Sequence, residues 1–290
     1  TDEFINKYIN SRFIESREWG EKIASPYDAV IFGSDQVWRP LYAYHIERYF
    51  GSFLGDSYVK RIAYAASFGT EHNEYSVEQQ RHCKRLLKSF KGVSVRENSA
   101  VGMCNSMFGV DATHVLDPTL LLTKDDYVKL IKGTPQSKGN LAVYVLDENK
   151  EINDFVDNIA EQLCLTPFKT NSKVENRNAP TSERQQPPLE QWLRSFFDAE
   201  LIITDSFHAC VFSIIFQKPF ICIGNKERGL ARFSSLLKMF GLENRLVTSF
   251  EDFVARKETL MKGIDYGRVY SILEEKRKES IDFLRNSLRN

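Results

Sequence analysis

Short apolar runs alternate with stretches of helical period from residue 29 to residue 224. That is the pattern of parallel strands covered by helices on both faces. In the first half, AVIFG (29–33), RIAYAASF (61–68), GVSVR (92–96) and HVLD (114–117) read as strands. Between the second and third, SVEQQRHCKRLLKSF places Val77, Cys83, Leu86, Leu87 and Phe90 on one helical face. A second series opens where Thr123 can cap a helix running out near Gly133. It continues through LAVYVLD (141–147), the helix EINDFVDNIAEQL, a short strand near PFKT, the helix LEQWLRSFF, LIITD (201–205), a helix from Ser206, and PFICIG (219–224). The polar, proline-containing stretch 171–188 reads as a loop and 266–290 as a closing helix.

These series predict an α/β protein of two Rossmann-like domains, 1–122 and 123–265, followed by the helix 266–290. A length of 290 residues exceeds the usual single domain and agrees with two domains sharing a cleft. Lysine plus arginine equals aspartate plus glutamate at 39 each, so no global field favours nucleic acid or an anionic membrane. Any anion site has to be built locally. The five cysteines are scattered without a CxxC pair, which points to reduced thiols rather than disulfides or a zinc site. No run reaches the ~20 apolar residues of a membrane span, and the polar opening TDEFINKYINSRF is unlike a signal peptide. The expected setting is the cytoplasm, with peripheral attachment to the inner membrane face left open.

Ligands of open parallel sheets sit beyond the carboxyl ends of the strands, near helix N-termini. In IFGSDQVWRP, Gly33 permits a tight turn or close backbone approach and Asp35 can accept from sugar hydroxyls; an ordinary turn with Trp38 as packing is the competing reading. YAASFG offers small residues, then Ser67 and Gly69, for a ligand or a packed helix. SVRE ends an apolar strand in Arg96, costly to bury unless it meets an anion or a carboxylate such as Glu97. In HVLDPTLLL, Asp117 reads as a turn cap and His114 as a packed histidine. In TDSFHACVFS, Asp205 or Ser206 can cap a helix whose first turn carries His208, an acid/base or a packing residue. GNKERGLARF sets Lys226, Arg228 and Arg232 at a helix start, an anion pocket or a solvated basic loop.

Taken in order, YDAVIFGSDQVWRP, RIAYAASFG, VSVRE, VLDPTLLL, TDSFHACVFSIIFQKPF and RFSSLLKMFGLENR resemble the polysaccharide pyruvyl transferase family from about residue 27 to residue 245. The resemblance implies a GT-B-like fold, with an N-terminal acceptor side and a C-terminal donor side facing a cleft. It implies transfer of the enolpyruvyl group of phosphoenolpyruvate to a sugar or lipid-linked oligosaccharide, leaving a pyruvate ketal and releasing phosphate. His208 then corresponds to the catalytic histidine and Arg96 to a donor-site arginine. Asp35, Gln36 and Ser67 join Ser206, Lys226, Arg228 and Arg232 as substrate contacts, and no metal or other cofactor is called for. Two departures stand out. Ser206 occupies a position where other members carry arginine, shifting donor binding onto Arg96, Lys226, Arg228 or Arg232. The family's opening strand and glycine-containing NYGA-like loop have no counterpart before Phe4, so the first strand and loop of the N-terminal domain are expected to be missing. A nucleotide-sugar glycosyltransferase on the same fold and a non-catalytic sugar-binding relative remain the alternatives.

Overall fold

In the computed structural model, the described residues are 2–12, 15, 18–24, 26–172, 180–224 and 230–289. The chain forms two compact units. One comprises Arg12–Leu121, Lys226–Phe240 and Tyr270–Asn290; the other comprises Thr1–Ser11, Leu122–Asn225 and Gly241–Val269.

The first unit is built on β1 (Ala29–Phe32), β2 (Lys60–Ala66), β3 (Phe90–Val95) and β4 (Thr113–His114), in that order and all parallel. β1, β2 and β3 stop where their apolar runs meet Gly33, Ser67 and Arg96, while β4 ends at His114 ahead of buried Val115 and Leu116, so 33–36, 67–68, 96–97 and 115–117 lie beyond the carboxyl edge of the sheet. The helix Val77–Leu87 starts on a capping box, in which Gln79 N–H donates to Ser76 Oγ and Ser76 N–H to the Gln79 side chain. Of the expected apolar face, Cys83 and Leu87 are buried. Val77 opens the helix as its first residue and is 87% exposed, standing beyond the core layer. Phe90 follows a turn at Ser89 and enters β3 instead.

Beneath this helix, Trp38 stacks on Phe50 with ring centroids 4.8 Å apart, and Phe68 stacks on Phe108 at 6.1 Å. Each such fully buried aromatic contributes about 2–3 kcal/mol of hydrophobic stabilisation. The cluster therefore fixes the segment that follows β1: Trp38 Nε1–H donates to Tyr49 O (3.2 Å), and Tyr75 O–H donates to Trp38 O (2.6 Å).

Two distant stretches complete this unit. The helix Ala231–Phe240 is tied by Asn98 N–H donating to Ser235 Oγ at 2.9 Å. The closing helix Tyr266–Arg289 offers Ser280 Oγ to Leu116 N–H (3.0 Å), and its Arg277 Nε–H donates to Leu120 O (2.9 Å).

The second unit has five parallel strands in the order β6-β5-β7-β8-β9: β5 (Leu141–Tyr144), β6 (Pro167–Lys169), β7 (Leu201–Thr204), β8 (Phe220–Ile223) and β9 (Leu246–Val247). Central β7 is buried at every residue, as a strand covered on both faces must be. The helix Phe207–Phe216 is buried around nearly its whole circumference, and its Phe212 ring meets Trp192 edge-on at 5.1 Å. The Thr123 cap forms as expected, reciprocated by Asp126, over the helix Lys124–Leu130. Within 171–188, residues 173–179 lie outside the described residues and Thr181–Arg184 forms a helical turn rather than loop. Among the described residues, no helix is long and apolar enough to cross a membrane.

Candidate functional site

In the unit of β1–β4, the carboxyl edge of the sheet gathers charged groups. After β1 the chain turns at Gly33, whose φ of 110° and close approach to Tyr64 O exclude a side chain. It then presents Ser34 and Asp35. β3 delivers Arg96 and Glu97, the chain after β4 delivers Asp117, and the helix Ala231–Phe240 delivers Arg232.

Arg96 lies at the centre, its side chain 1% exposed. Nη1 donates to Asp117 Oδ2 and Nη2 to Asp35 Oδ1, each at 3.0 Å. The two acids differ in setting: the Asp117 side chain is 2% exposed and that of Asp35 66%. Asp117 is further held by Ser34 Oγ–H (3.2 Å) and by the backbone and hydroxyl of Thr119 (3.0 and 2.6 Å). Its turn-capping role is therefore joined to an ion pair.

Arg232 is buried close to Arg96. Burial first, and then the like charge of Arg96, lower its pKa to about 10, against the opposing pull of Glu97, Asp35 and Tyr42. Glu97 is fully buried. Its Oε1 accepts from Ser67 Oγ (3.0 Å), Phe68 N–H (2.8 Å) and Gly69 N–H (3.1 Å). Burial still raises its pKa above the ordinary carboxylate value, outweighing Arg96 and these bonds. Ser67 is also fully buried, with its hydroxyl committed to Glu97 and Gly69 N–H. Gln36 packs its amide over Gly69, and Nε2 is buried without a hydrogen-bond partner. With Asp35, Val37, Tyr42, Ala43 and Tyr49 it lines a cavity of about 300 Å³. His114 is half-buried, its Nε2 3.0 Å from Arg96 O and 3.3 Å from Ser235 Oγ, a packed histidine whose pKa burial lowers.

His208 and Ser206 belong to the other unit. β7 ends at Thr204, whose Oγ1–H donates to Tyr144 O (2.6 Å) and accepts from Ser206 N–H (2.9 Å). Neither expected side chain caps the next helix. Ser206 stands at the N-cap position without a capping bond, while the Asp205 carboxylate accepts from Leu146 N–H (2.7 Å) and Asp147 N–H (3.0 Å) beyond β5. His208 is the second residue of the helix, half-buried, edge-on to the Phe207 ring at 5.4 Å. Lys226 and Arg228 lie outside the described residues.

The fold thus collects Asp35, Gln36, Ser67, Arg96 and Arg232 in one unit, together with Asp117 and Glu97, which the sequence reading left in structural roles. It also adds Tyr42 and Tyr49, for which the aromatic-rich stretch PLYAYHIERYF was an available signal. No curated protein matches the chain. The family model described as polysaccharide pyruvyl transferase matches residues 2–227. The matched span begins ahead of the motif resemblance and stops short of RFSSLLKMFGLENR, so the placement of Arg232 rests on geometry alone. Since the match takes in all of β1–β8, with Asp35, Arg96, Glu97, Asp117 and the β7 junction bearing His208, the chain belongs to the polysaccharide pyruvyl transferase family.

Proposed function

We propose that the protein moves the enolpyruvyl group of phosphoenolpyruvate onto a sugar of a polysaccharide or its precursor, closing a pyruvate ketal and releasing phosphate. The observation that carries this reading is the pair of buried guanidiniums, Arg96 and Arg232, in a member of a family described by pyruvyl transfer. Phosphoenolpyruvate carries a carboxylate and a phosphate, and guanidinium forks suit both. The reading takes the two parallel-sheet units as GT-B-like.

In the proposed reaction the methylene carbon of the donor gains a proton, which makes C2 electrophilic. A sugar hydroxyl bonds to C2 and loses its proton; the C2–O bond to phosphate breaks; a second hydroxyl bonds to C2 and its proton leaves with phosphate. His208 supplies or relays the first proton, and Arg96 with Arg232 and Lys226 holds the donor. Asp35 and Gln36 face the acceptor.

Phosphate release from phosphoenolpyruvate, with a panel of glycosides and oligosaccharides as acceptors, tests the reading alongside thermal shift. Turnover with at least one acceptor, and stabilisation by phosphoenolpyruvate, are expected. Stabilisation by nucleotide sugars and not by phosphoenolpyruvate overturns it. Wild-type phosphate release by His208→Ala overturns the role of His208.

A further inference from the structure

The stretch between β1 and β2 exposes more aromatic surface than a solvated turn requires: Tyr42 is 62% exposed, Tyr44 96% and Tyr49 42%. The Tyr42 ring stands on a rigid frame, and the backbone of Tyr49 is held nearby. Glu74 grips Arg39 through Nε (3.1 Å) and Nη2 (3.0 Å), and Arg39 Nη1–H donates to Tyr42 OH (3.0 Å). The same guanidinium lies 4.7 Å from the centroid of the Tyr42 ring. Tyr49 is fixed through its carbonyl, which accepts from the indole of fully buried Trp38. Rings ordered during folding lose little further freedom when a ligand settles on them. Exposed aromatics with such dedicated buttressing are suited to recognition.

The cavity of about 300 Å³ that these two rings help to line carries one ionisable acid and one amide, Asp35 and Gln36. The acid is largely exposed and can accept hydrogen bonds. Gln36 contributes to the wall, while its Nε2 is packed against Gly69 and out of reach of a ligand. A ligand matched to this lining has an apolar face for the rings and a hydroxyl to donate. A sugar ring has both, with its C–H bonds on one face and hydroxyls at its edge. A phosphate-bearing ligand fits poorly, because the charged side chain in the lining is a carboxylate. The cavity also adjoins Arg96, since Asp35 in its lining accepts from Arg96 Nη2 at 3.0 Å.

We infer that Tyr42 and Tyr49 form a stacking platform for one sugar ring of the acceptor, with Asp35 accepting from a hydroxyl. As an acceptor subsite, this rests on the pyruvyl-transfer reading; as a saccharide site, it stands by itself. It assigns sugar selection to two tyrosines and to the Glu74–Arg39 pair that positions one of them.

Saturation-transfer NMR on the full chain with methyl glucoside, galactoside, mannoside and N-acetylglucosaminide tests it. Transfer is expected to the C–H face of at least one glycoside. Tyr42→Ala and Tyr49→Ala should each weaken its binding about tenfold, while Tyr42→Phe retains most of it. Donor stabilisation by phosphoenolpyruvate should persist in all three. No transfer from the wild-type protein to any glycoside, or unchanged binding by Tyr42→Ala and Tyr49→Ala, overturns the inference while leaving donor chemistry standing. Glycoside binding that depends on the tyrosines, without any response to phosphoenolpyruvate, supports the platform and sinks the pyruvyl-transfer reading instead. Alanine variants that change oligomeric state and leave glycoside binding intact identify the rings as a protein interface and likewise overturn it.

Discussion

Asp117→Ala removes the buried half of the Arg96 network, and the cost can be worked from its bonds. The carboxylate accepts from Arg96 Nη1, Ser34 Oγ, Thr119 N–H and Thr119 Oγ1. Ser34 and Thr119 are half-exposed and can turn to water, losing about 0.5–1 kcal/mol each. Arg96, with its side chain 1% exposed, has no such recourse, and stripping one partner from a buried pair costs about 3–5 kcal/mol. Hydrogen exchange is the appropriate assay, because a chain of two units need not unfold in one step. From the Arg96 cost alone, amides of β2 and β3, the latter paired directly with the strand preceding Asp117, should exchange at least roughly a hundredfold to several thousandfold faster, at 1.36 kcal/mol per tenfold. Asp35→Ala is the control, since an exposed partner contributes about 0–1 kcal/mol, less than roughly fivefold. The double variant Arg96→Met with Asp117→Leu should recover most of the loss, because a buried pair replaced by apolar groups of similar size is close to neutral. Acceleration below tenfold in Asp117→Ala, or equal to that of Asp35→Ala, refutes the argument.

Glu97 has a folded pKa above its unfolded value, so its ionised form is disfavoured in the fold and its contribution is most favourable below the unfolded carboxylate value of about 4.3. Glu97→Gln should therefore gain on the wild type as pH rises through the folded pKa towards neutrality, and the difference should fade as pH falls to about 4; denaturation midpoints measured across that range check it, and a pH-independent difference contradicts it. Burial pushes Cys83 and Cys104 up to about 12 and raises Cys222 well above the ordinary thiol value, whereas Cys164 is exposed at the end of the helix Lys150–Leu163. Titration with a chromogenic disulfide should find one fast thiol in the native protein and five after denaturation, and Cys164→Ser should abolish the fast phase.

The apolar runs located the strands because a covered parallel strand needs consecutive hydrophobic residues, and β7 reads as LIIT for that reason. Where each strand ends was less legible, since polar residues such as Arg96 and Asp117 stay attached to apolar runs while bonding outside the sheet. Thr123 was legible as a cap because its partner Asp126 sits three residues away. Asp205–Ser206 carried the same local signature, yet Asp205 is drawn to two backbone N–H groups beyond β5, 58 and 59 positions away, which no local pattern displays. Arg96 announced itself as a cation needing an anion. Its partners, 21 and 61 positions distant, came from the fold.

Those two partners give Arg96 a divided chemistry. The bond to Asp117 is dry, shared with Ser34 and Thr119, and resists exchange. The bond to Asp35 is screened by water, so a carboxylate or phosphate oxygen competing for Nη2 displaces about 0–1 kcal/mol of pairing rather than 3–5. An anion bound by Arg96 would enter on the Asp35 side and leave the guanidinium anchored on the other. Asp35, once released, lines the cavity beside Tyr42 and Gln36, where a carboxylate acceptor meets hydroxyl groups. Under the pyruvyl-transfer reading, donor arrival at Arg96 thus readies the acceptor subsite, and Asp35→Asn should weaken that coupling: glycoside affinity in the variant should no longer rise when phosphoenolpyruvate is present, and an undiminished rise would break the link.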